Sequence, residues 1–264
     1  MSRGCDKREA YIVRNTAAGK GRYQVATPSD SCLRVLSYGR IILTKDDGEV
    51  RVSTDGKEYG LVCASGAGTV EAGRKTFAVR RHDSVYIPSN SEFVVKTETA
   101  IDLVECSADS DLKSDPVLVR IEDVKKDPKL HRVVGEQPQR REFHALIGPQ
   151  VNASRVFIGL TRGAAGNWTS WPPHDHTRTR EEIYLYYDMP APGFGIQLVY
   201  DDLNDIKLVD VVRDGDAVLI PHGYHTNVAI PGYSVNYIWM LGEFDPKTGR
   251  NMSDSIIQPE FAGE

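Results

Sequence analysis

Four of the seven histidines in the chain fall within residues 171–225, where their spacing could support metal chemistry. His174 and His176 are two residues apart, so in a β-strand both imidazoles would point to the same face and enter one cavity. A carboxylate a few residues downstream, from Glu181 or Glu182, and a distant histidine would complete the site. Three imidazole nitrogens and one carboxylate oxygen suit a divalent ion. The sequence therefore predicts a metal centre in the second half of the chain.

The elements that must position this site are predicted to be strands. From Leu33 onward, short strand-like runs are separated by turn residues such as Asp-Gly pairs, and no stretch shows a sustained helical period. A strand, a proline turn and a second strand occur around Pro88, and the pattern recurs around Pro221. We therefore expect an all-β protein with an internal duplication.

A polar bridge over residues 109–128 separates the two halves. Its second part is predicted to carry a short helical turn before Pro128. We place the first domain at residues 1–110, and the second, with the linker and the tail, at residues 111–264.

The composition excludes several classes of protein. The chain has 264 residues, of which 26% are charged, and its net charge of −5 offers no basic face for a nucleic acid. No apolar run approaches the length of a membrane span, and the charged N-terminus differs from a secretory signal, so we expect no membrane partner and a cytoplasmic location. The four cysteines form no Cys-x-x-Cys pair, which argues against a thiolate zinc site.

The second half of the chain resembles a cupin barrel. The first cupin motif supplies His-x-His and a downstream Glu, and the second reads Gly, five residues, Pro-x-Gly and then His. Here the second motif is formed by Gly215, Pro221, Gly223 and His225. It departs from the common pattern, because only Tyr224 separates the last glycine from the histidine where two residues are usual.

More narrowly, the chain is similar to 5-deoxy-glucuronate isomerases of inositol catabolism and to the related 5-keto-4-deoxyuronate isomerases of pectin breakdown. The segments 138–144, 166–176, 221–225 and 231–233 resemble the inositol branch, whereas 182–190 is similar to the pectin branch. The resemblance covers most of the chain and is more specific in the second half. The longer matching stretches favour the inositol branch.

This resemblance implies a fold and a function. The fold would be a bicupin, with two antiparallel jelly-roll barrels. The first barrel would be degenerate, because it has no His-x-His, and the second would hold the metal. The implied reaction converts 5-deoxy-glucuronate to 2-deoxy-5-keto-gluconate in myo-inositol degradation. The alternatives are 5-keto-4-deoxyuronate isomerisation, a cupin dioxygenase reaction and non-catalytic sugar binding.

The resemblance also selects the metal ligands. The matching family segment carries its acidic ligand at the position of Glu182, which gives His174, His176, Glu182 and His225 as the set. One divalent ion is expected. Zinc is the first choice by resemblance, and manganese, iron, nickel or cobalt are also compatible with these ligands.

The sequence offers further candidates for contact with a small sugar-acid substrate. The candidate proton carriers are Glu181, which needs a local bulge to turn inward, Tyr184, Tyr186 and His222. Guanidinium groups bind carboxylates with two parallel hydrogen bonds, so the candidates for holding the substrate's carboxylate are Arg141, Arg155, Arg178 and Arg180. Trp171 is a candidate for the cavity wall.

The remaining histidines have no assigned role in the metal site. His144 is equally compatible with packing and with a pocket role, whereas His82 and His131 are expected at the surface. A homo-oligomer is compatible with exposed sheet edges.

Overall fold

The computed structural model describes residues 8–248, 250, 252 and 254–263. Nearly all regular structure in this part of the chain is antiparallel β-sheet, which confirms the all-β prediction. The short helical turn predicted before Pro128 is present as a four-residue α-helix. Among the described residues, no helix has the length and apolar character needed to cross a membrane.

The strands follow one another closely along the chain. The first nine are β1 (Ile12–Val13), β2 (Gly21–Ala26), β3 (Ser37–Thr44), β4 (Glu49–Ser53), β5 (Lys57–Ala72), β6 (Lys75–Arg80), β7 (Ser84–Ile87), β8 (Glu92–Lys96) and β9 (Ala100–Asp109). The next elements are β10 (Val117–Val119), α1 (Ile121–Val124), β11 (His131–Val134), β12 (Arg141–Ile147), β13 (Val156–Gly163), β14 (Trp168–Asp175) and β15 (Arg180–Tyr186). The last are β16 (Gly195–Asp202), β17 (Asp205–Val212), β18 (Ala217–Ile220), β19 (Tyr224–Ala229), β20 (Asn236–Glu243) and β21 (Ile256–Ile257), with 3₁₀ turns at Arg8–Ala10, Pro246–Thr248 and Pro259–Phe261.

The main sheets of the two halves have corresponding strand orders. In the first half the order is β10-β7-β5-β9-β3-β2, and in the second it is β1-β18-β15-β20-β13-β12-β11. A further sheet of the second half, β17-β16-β19-β14-β21, carries the His-x-His strand β14. The register corresponds as well, because Tyr59 pairs with Ile87 and Glu182 pairs with Ile220. These correspondences are what an internal duplication predicts.

Each half lends an edge strand to the other. Strand β1 pairs with β18, with Ile12 opposite Val218. Strand β10, which follows the first half in sequence, pairs with β7, with Leu118 opposite Val85. The predicted domain boundary at residue 110 stays a prediction. Strand β1 lies before that residue but pairs in the main sheet of the second half, and β10 lies after it but pairs in the main sheet of the first half.

Two buried carboxylates join the halves in the same way. Glu58 on β5 accepts hydrogen bonds from the backbone amides of residues 154–156, at 2.6 to 2.9 Å. Glu181 on β15 accepts hydrogen bonds from the amides of residues 34–36, also at 2.6 to 2.7 Å. Both side chains are fully buried. Charge-assisted hydrogen bonds of this kind are about twice as strong as neutral ones. Because Glu58 and Glu181 each bind backbone amides of the other half, we call this pair the carboxylate clasp.

The interior of the first half is filled with apolar side chains. Leu61, Phe93, Val95 and Leu103 are at most 1% exposed and pack in one cluster. In the second half, polar and aromatic side chains such as Glu182, Tyr184 and Tyr237 surround a cavity.

Candidate functional site

A cavity of about 690 Å³ lies in the second half. Strand β15 forms part of the cavity wall, and both of its faces are buried. Glu182 and Tyr184 point into the cavity, whereas Ile183 and Leu185 alternate with them and join the apolar cluster between the halves. The alternation of side chains along one strand therefore supplies both the site and its support.

The four side chains expected as metal ligands come together at this cavity. His174 lies on β14 directly opposite His225 on β19. The Nε2 atoms of His176 and His225 lie 3.0 and 3.1 Å from the Oε2 atom of Glu182. The ring centroids of the three histidines are 4.5 to 5.8 Å apart.

Hydrogen bonds to the backbone orient two of the imidazoles. The Nδ1–H of His174 donates to the carbonyl of Pro172 at 3.0 Å, and that of His225 donates to Gly223 at 3.3 Å. The Nε2 atom of each ring is therefore the free ligand atom. His225 Nε2 is buried and has no hydrogen-bond partner of good geometry among the described residues. Such a donor set fits a divalent cation of the zinc type.

The protonation states of the site also fit a cation. Burial favours the neutral form of Glu182, but the hydrogen bond with His176 and the adjacent imidazole of His225 outweigh it and lower the pKa of this carboxyl to about 2. Burial, together with the neighbouring His225 and His176, lowers the pKa of His174 to about 3. At neutral pH the carboxylate is charged and this imidazole is neutral, as metal ligands must be.

A chain of three hydroxyl groups borders the cavity next to the histidines. Ser170 Oγ lies 2.8 Å from the hydroxyl of Tyr184 and 2.9 Å from that of Tyr237. Burial and the charge of Glu182 raise the pKa of Tyr184 well above its ordinary value, so its hydroxyl stays protonated. Ser170 also has a left-handed backbone, with φ of 51°, which is uncommon for a residue other than glycine.

Sequence reasoning identified Tyr184 but missed Ser170 and Tyr237. For Tyr237 a signal was present, because Tyr237, Trp239 and Leu241 alternate along β20 and all line the cavity. Nothing in the sequence marks Ser170, whose position depends on the conformation of β14.

Arg141 is the predicted arginine best placed to meet an anion in the cavity. Its guanidinium donates to the carbonyls of Trp171, at 2.5 Å, and Gln139, at 2.9 Å, rather than to a carboxylate. Burial lowers its pKa from the usual value, but an arginine remains charged at neutral pH. Lys129 and Arg132 also line the cavity, and neither was predicted.

The other three predicted arginines are either engaged elsewhere or outside the cavity. Arg180 borders the cavity, but it is paired with Asp254 at 2.5 Å and lies 3.7 Å from Glu243. Arg178 is exposed and does not line the cavity. Arg155 donates to backbone carbonyls at the junction of the halves, those of Asp109, Glu243 and Phe244.

Four further predicted residues lie outside the cavity. Glu181 points to the opposite face of β15 and belongs to the carboxylate clasp, because no bulge turns it inward. Tyr186 is buried in the core, where its hydroxyl donates to Gln197. His222 is partly exposed and is held between Asp201 and Tyr11. Trp171 packs against Trp168 and Phe261 instead of lining the cavity.

Comparison with known proteins agrees with this architecture. The model of the KduI/IolB family matches residues 11–256. A 5-deoxy-glucuronate isomerase of Geobacillus thermodenitrificans is 32% identical over 162 residues, which make up 59% of this chain and 57% of that protein. The chain thus matches little more than half the length of this relative.

Two solved structures share the fold. An IolB-like protein from Salmonella typhimurium superposes with a TM-score of 0.84 at 23% identity, over 96% of this chain and 98% of the other. A cupin 2 conserved barrel domain protein from Leptotrichia buccalis gives a TM-score of 0.53 at 13% identity, over 88% of both chains. These likenesses confirm the predicted cupin-like fold with two barrels.

Proposed function

Because the chain belongs to the KduI/IolB family, we propose that it is a metal-dependent aldose-ketose isomerase that converts 5-deoxy-glucuronate to 2-deoxy-5-keto-gluconate. One observation carries the proposal: three imidazoles and one carboxylate cluster at a cavity that is also lined by a chain of protonated hydroxyls and by Arg141, whose guanidinium has no carboxylate partner among the described residues. The reaction would be a step of myo-inositol degradation, in the cytoplasm.

His174, His176, Glu182 and His225 would hold one divalent ion, with zinc as the first choice. Bound there, a divalent ion supplies Lewis acidity, which polarises a carbonyl and lowers the pKa of a neighbouring hydroxyl. Three of the four ligand side chains are buried, which lowers the effective dielectric around them. A low dielectric strengthens the electrostatic interactions on which this chemistry depends.

Arg141 would orient the substrate. A uronate carries a carboxylate at the end of the chain opposite its aldehyde, and a guanidinium binds such a group with two parallel hydrogen bonds. Lys129 and Arg132 on the same wall add positive charge. Holding the carboxylate there would direct the aldehyde end toward the histidines, and positioning of this kind contributes strongly to rate.

Tyr184 would donate a hydrogen bond to a substrate oxygen. The reaction moves a hydrogen between neighbouring carbons through an enediolate, whose oxygens gain negative charge as the intermediate forms. A hydroxyl with a raised pKa donates a hydrogen bond without losing its proton, and Ser170 and Tyr237 hold that hydroxyl in place.

The test is to supply 5-deoxy-glucuronate and 5-keto-4-deoxyuronate separately to metal-loaded protein and to follow the carbonyl products by NMR. We expect turnover of the first. Turnover of the second alone would move the protein to the pectin branch, which residues 182–190 resemble. Oxygen uptake with iron would favour the dioxygenase alternative, and turnover of neither sugar would refute the isomerase proposal.

A further inference from the structure

A second group of potential metal ligands lies on the outer side of the cavity wall. It consists of His131 on β11 and Glu142 and His144 on β12. Arg132 and Phe143, which are opposite each other on these two strands, line the cavity, so the alternate residues point away from it. The group is therefore separate from the histidines of the candidate active site.

The strand pairing brings the two imidazoles together. His131 is directly opposite His144. The Ala145 amide donates to the Leu130 carbonyl at 2.8 Å, so Leu130 and Ala145 form a hydrogen-bonded pair. Because the two kinds of pair alternate along antiparallel strands, His131 and His144 form a non-hydrogen-bonded pair. Side chains of a non-hydrogen-bonded pair lie closer together than those of a hydrogen-bonded pair. The rings are stacked, with centroids 4.5 Å apart and planes within 15° of parallel.

The carboxylate of Glu142 completes a three-residue donor set. One ligand atom from each residue lies within 4.8 Å of the others, and Glu142 Oε2 is 4.0 Å from His144 Nε2. Ligands at a tetrahedral zinc ion are about 3.3 Å apart, so the ligand atoms must move closer together by up to about 1.5 Å when the ion binds. Since a metal lies in the plane of each imidazole it binds, the ring of His131 must also turn. Its partial exposure leaves room for that movement.

The imidazoles have ring nitrogens without hydrogen-bond partners in the described part of the chain. His144 is only 2% exposed, yet its Nδ1 has no partner. The buried Nε2 of His131 also has none, whereas its Nδ1 lies 3.3 Å from the carbonyl of Lys125. Buried polar atoms are nearly always paired with protein, water or an ion, so the unpartnered Nε2 of His131 calls for an occupant.

The local charge is compatible with a cation. Lys125 and Arg162 are the nearby basic groups, but Lys125 is paired with Glu122 at 2.9 Å and Arg162 lies 3.7 Å from Asp188. Burial and the adjacent His131 lower the pKa of His144 to about 4, so its imidazole is neutral at physiological pH. Two imidazoles and one carboxylate form a set that a borderline-soft divalent ion prefers.

We propose that His131, Glu142 and His144 form a second divalent-metal site, which fastens the edge strand β11 to β12. Strand β11 is the last strand of its sheet and pairs only with β12 in the described structure. A metal bridging the two strands would fix the cavity-facing side chains Arg132 and Phe143 from behind. The site would thus be structural, and it would bind more weakly than the buried four-ligand centre because it has fewer ligands.

The test is to titrate metal-free protein with Zn²⁺ against a chromophoric chelator and to measure bound metal by equilibrium dialysis. Wild-type protein is expected to bind two equivalents per chain, with different affinities. His131→Ala should remove only the weaker equivalent, His176→Ala only the tighter one, and the double variant both. His82→Asn is the matched control, because His82 also has a buried, unpartnered ring nitrogen but belongs to neither group.

Glu142→Gln guards against a folding artefact, because its side chain is half exposed and the change is nearly isosteric. It should weaken the second equivalent by roughly tenfold or more, the scale on which metal sites respond to loss of a supporting partner. Binding of only one equivalent by wild-type protein would overturn the proposal. So would a second equivalent whose affinity is unchanged in folded His131→Ala and Glu142→Gln.

Discussion

The two halves of the chain show how one scaffold can be either a filled core or a reactive cavity. In the shared register Tyr59 occupies the position of Glu182, since their partners Ile87 and Ile220 each precede a proline. Two residues further along, Leu61 in the first half corresponds to Tyr184 in the second. The first half thus has apolar or aromatic packing where the second has a carboxylate and a hydroxyl.

The difference separates stability from chemistry. Burying apolar surface stabilises the first half, whereas burying a carboxylate and imidazoles is unfavourable unless partners or a metal compensate. The exchanged strands β1 and β10 and the clasp formed by Glu58 and Glu181 join the two halves. We infer that apolar packing in the first half helps to stabilise the second half, whose polar cavity is less favourable for folding.

The largest expected effect separates two adjacent carboxylates on β15. Glu182→Gln should abolish tight metal binding and lower the isomerase rate by at least about 10³-fold, since it removes a charged ligand from the centre of the site. Glu181→Gln should keep both metal and activity, because its carboxylate is hydrogen-bonded to backbone amides of the other half. Metal analysis and rate measurements on both variants check this. Loss of metal in a folded Glu181→Gln protein would show that the two carboxylates do not have separate roles.

A cavity in the filled half should affect stability alone. Phe93→Ala should lower the free energy of unfolding by about 3–5 kcal/mol, the usual range for a fully buried phenylalanine. Urea unfolding measures this change. Phe77→Ala on β6 provides a control, because Phe77 is only partly buried and should have a smaller effect. If folded Phe93→Ala protein failed to bind metal, the halves would be coupled more closely than we infer.

The reciprocal clasp predicts matched effects in the two halves. Glu58→Gln and Glu181→Gln should each lower the free energy of unfolding by about 2–3 kcal/mol, because each change removes the charge that three amide donors surround. Chemical denaturation of both variants makes the comparison. A large effect at one position with none at the other would show that Glu58 and Glu181 do not contribute equally to the free energy of unfolding.

The smallest expected effect concerns a single hydroxyl. Tyr184→Phe should lower kcat by about 10²-fold, the lower end of the range for loss of one hydrogen-bond donor to a developing oxyanion, while metal content stays unchanged. Tyr237→Phe should have a weaker effect, because Tyr237 acts through Ser170. Steady-state kinetics, with metal analysis as control, test both. An unchanged kcat in Tyr184→Phe would remove this hydroxyl from the mechanism.

The sequence predicted the features that depend on short-range spacing. The alternation of strand residues placed His174 and His176 in one cavity, and the same rule, applied from Glu182, placed Tyr184 beside them. The all-β fold followed from turn residues at short intervals. Resemblance to a family supplied the choice of Glu182 over Glu181.

The remaining features depend on long-range register, which sequence spacing does not reveal. Four arginines were equally compatible with a carboxylate, and only the packed structure distinguishes Arg141 from Arg155, which is bound at the junction of the halves. The role of Glu181 depends on amides about 145 residues earlier in the chain. His131 was expected at the surface, and its pairing with His144 depends on the register of two strands.

Metal-dependent isomerisation in the polar cavity of the second half is the function that we propose. Its most direct test is the NMR-monitored turnover of 5-deoxy-glucuronate by chelator-treated protein, before and after Zn²⁺ is restored to the same sample. We predict no ketose product before the metal is added and steady formation afterwards. Full turnover by the metal-free protein, or none after reloading, would contradict the account.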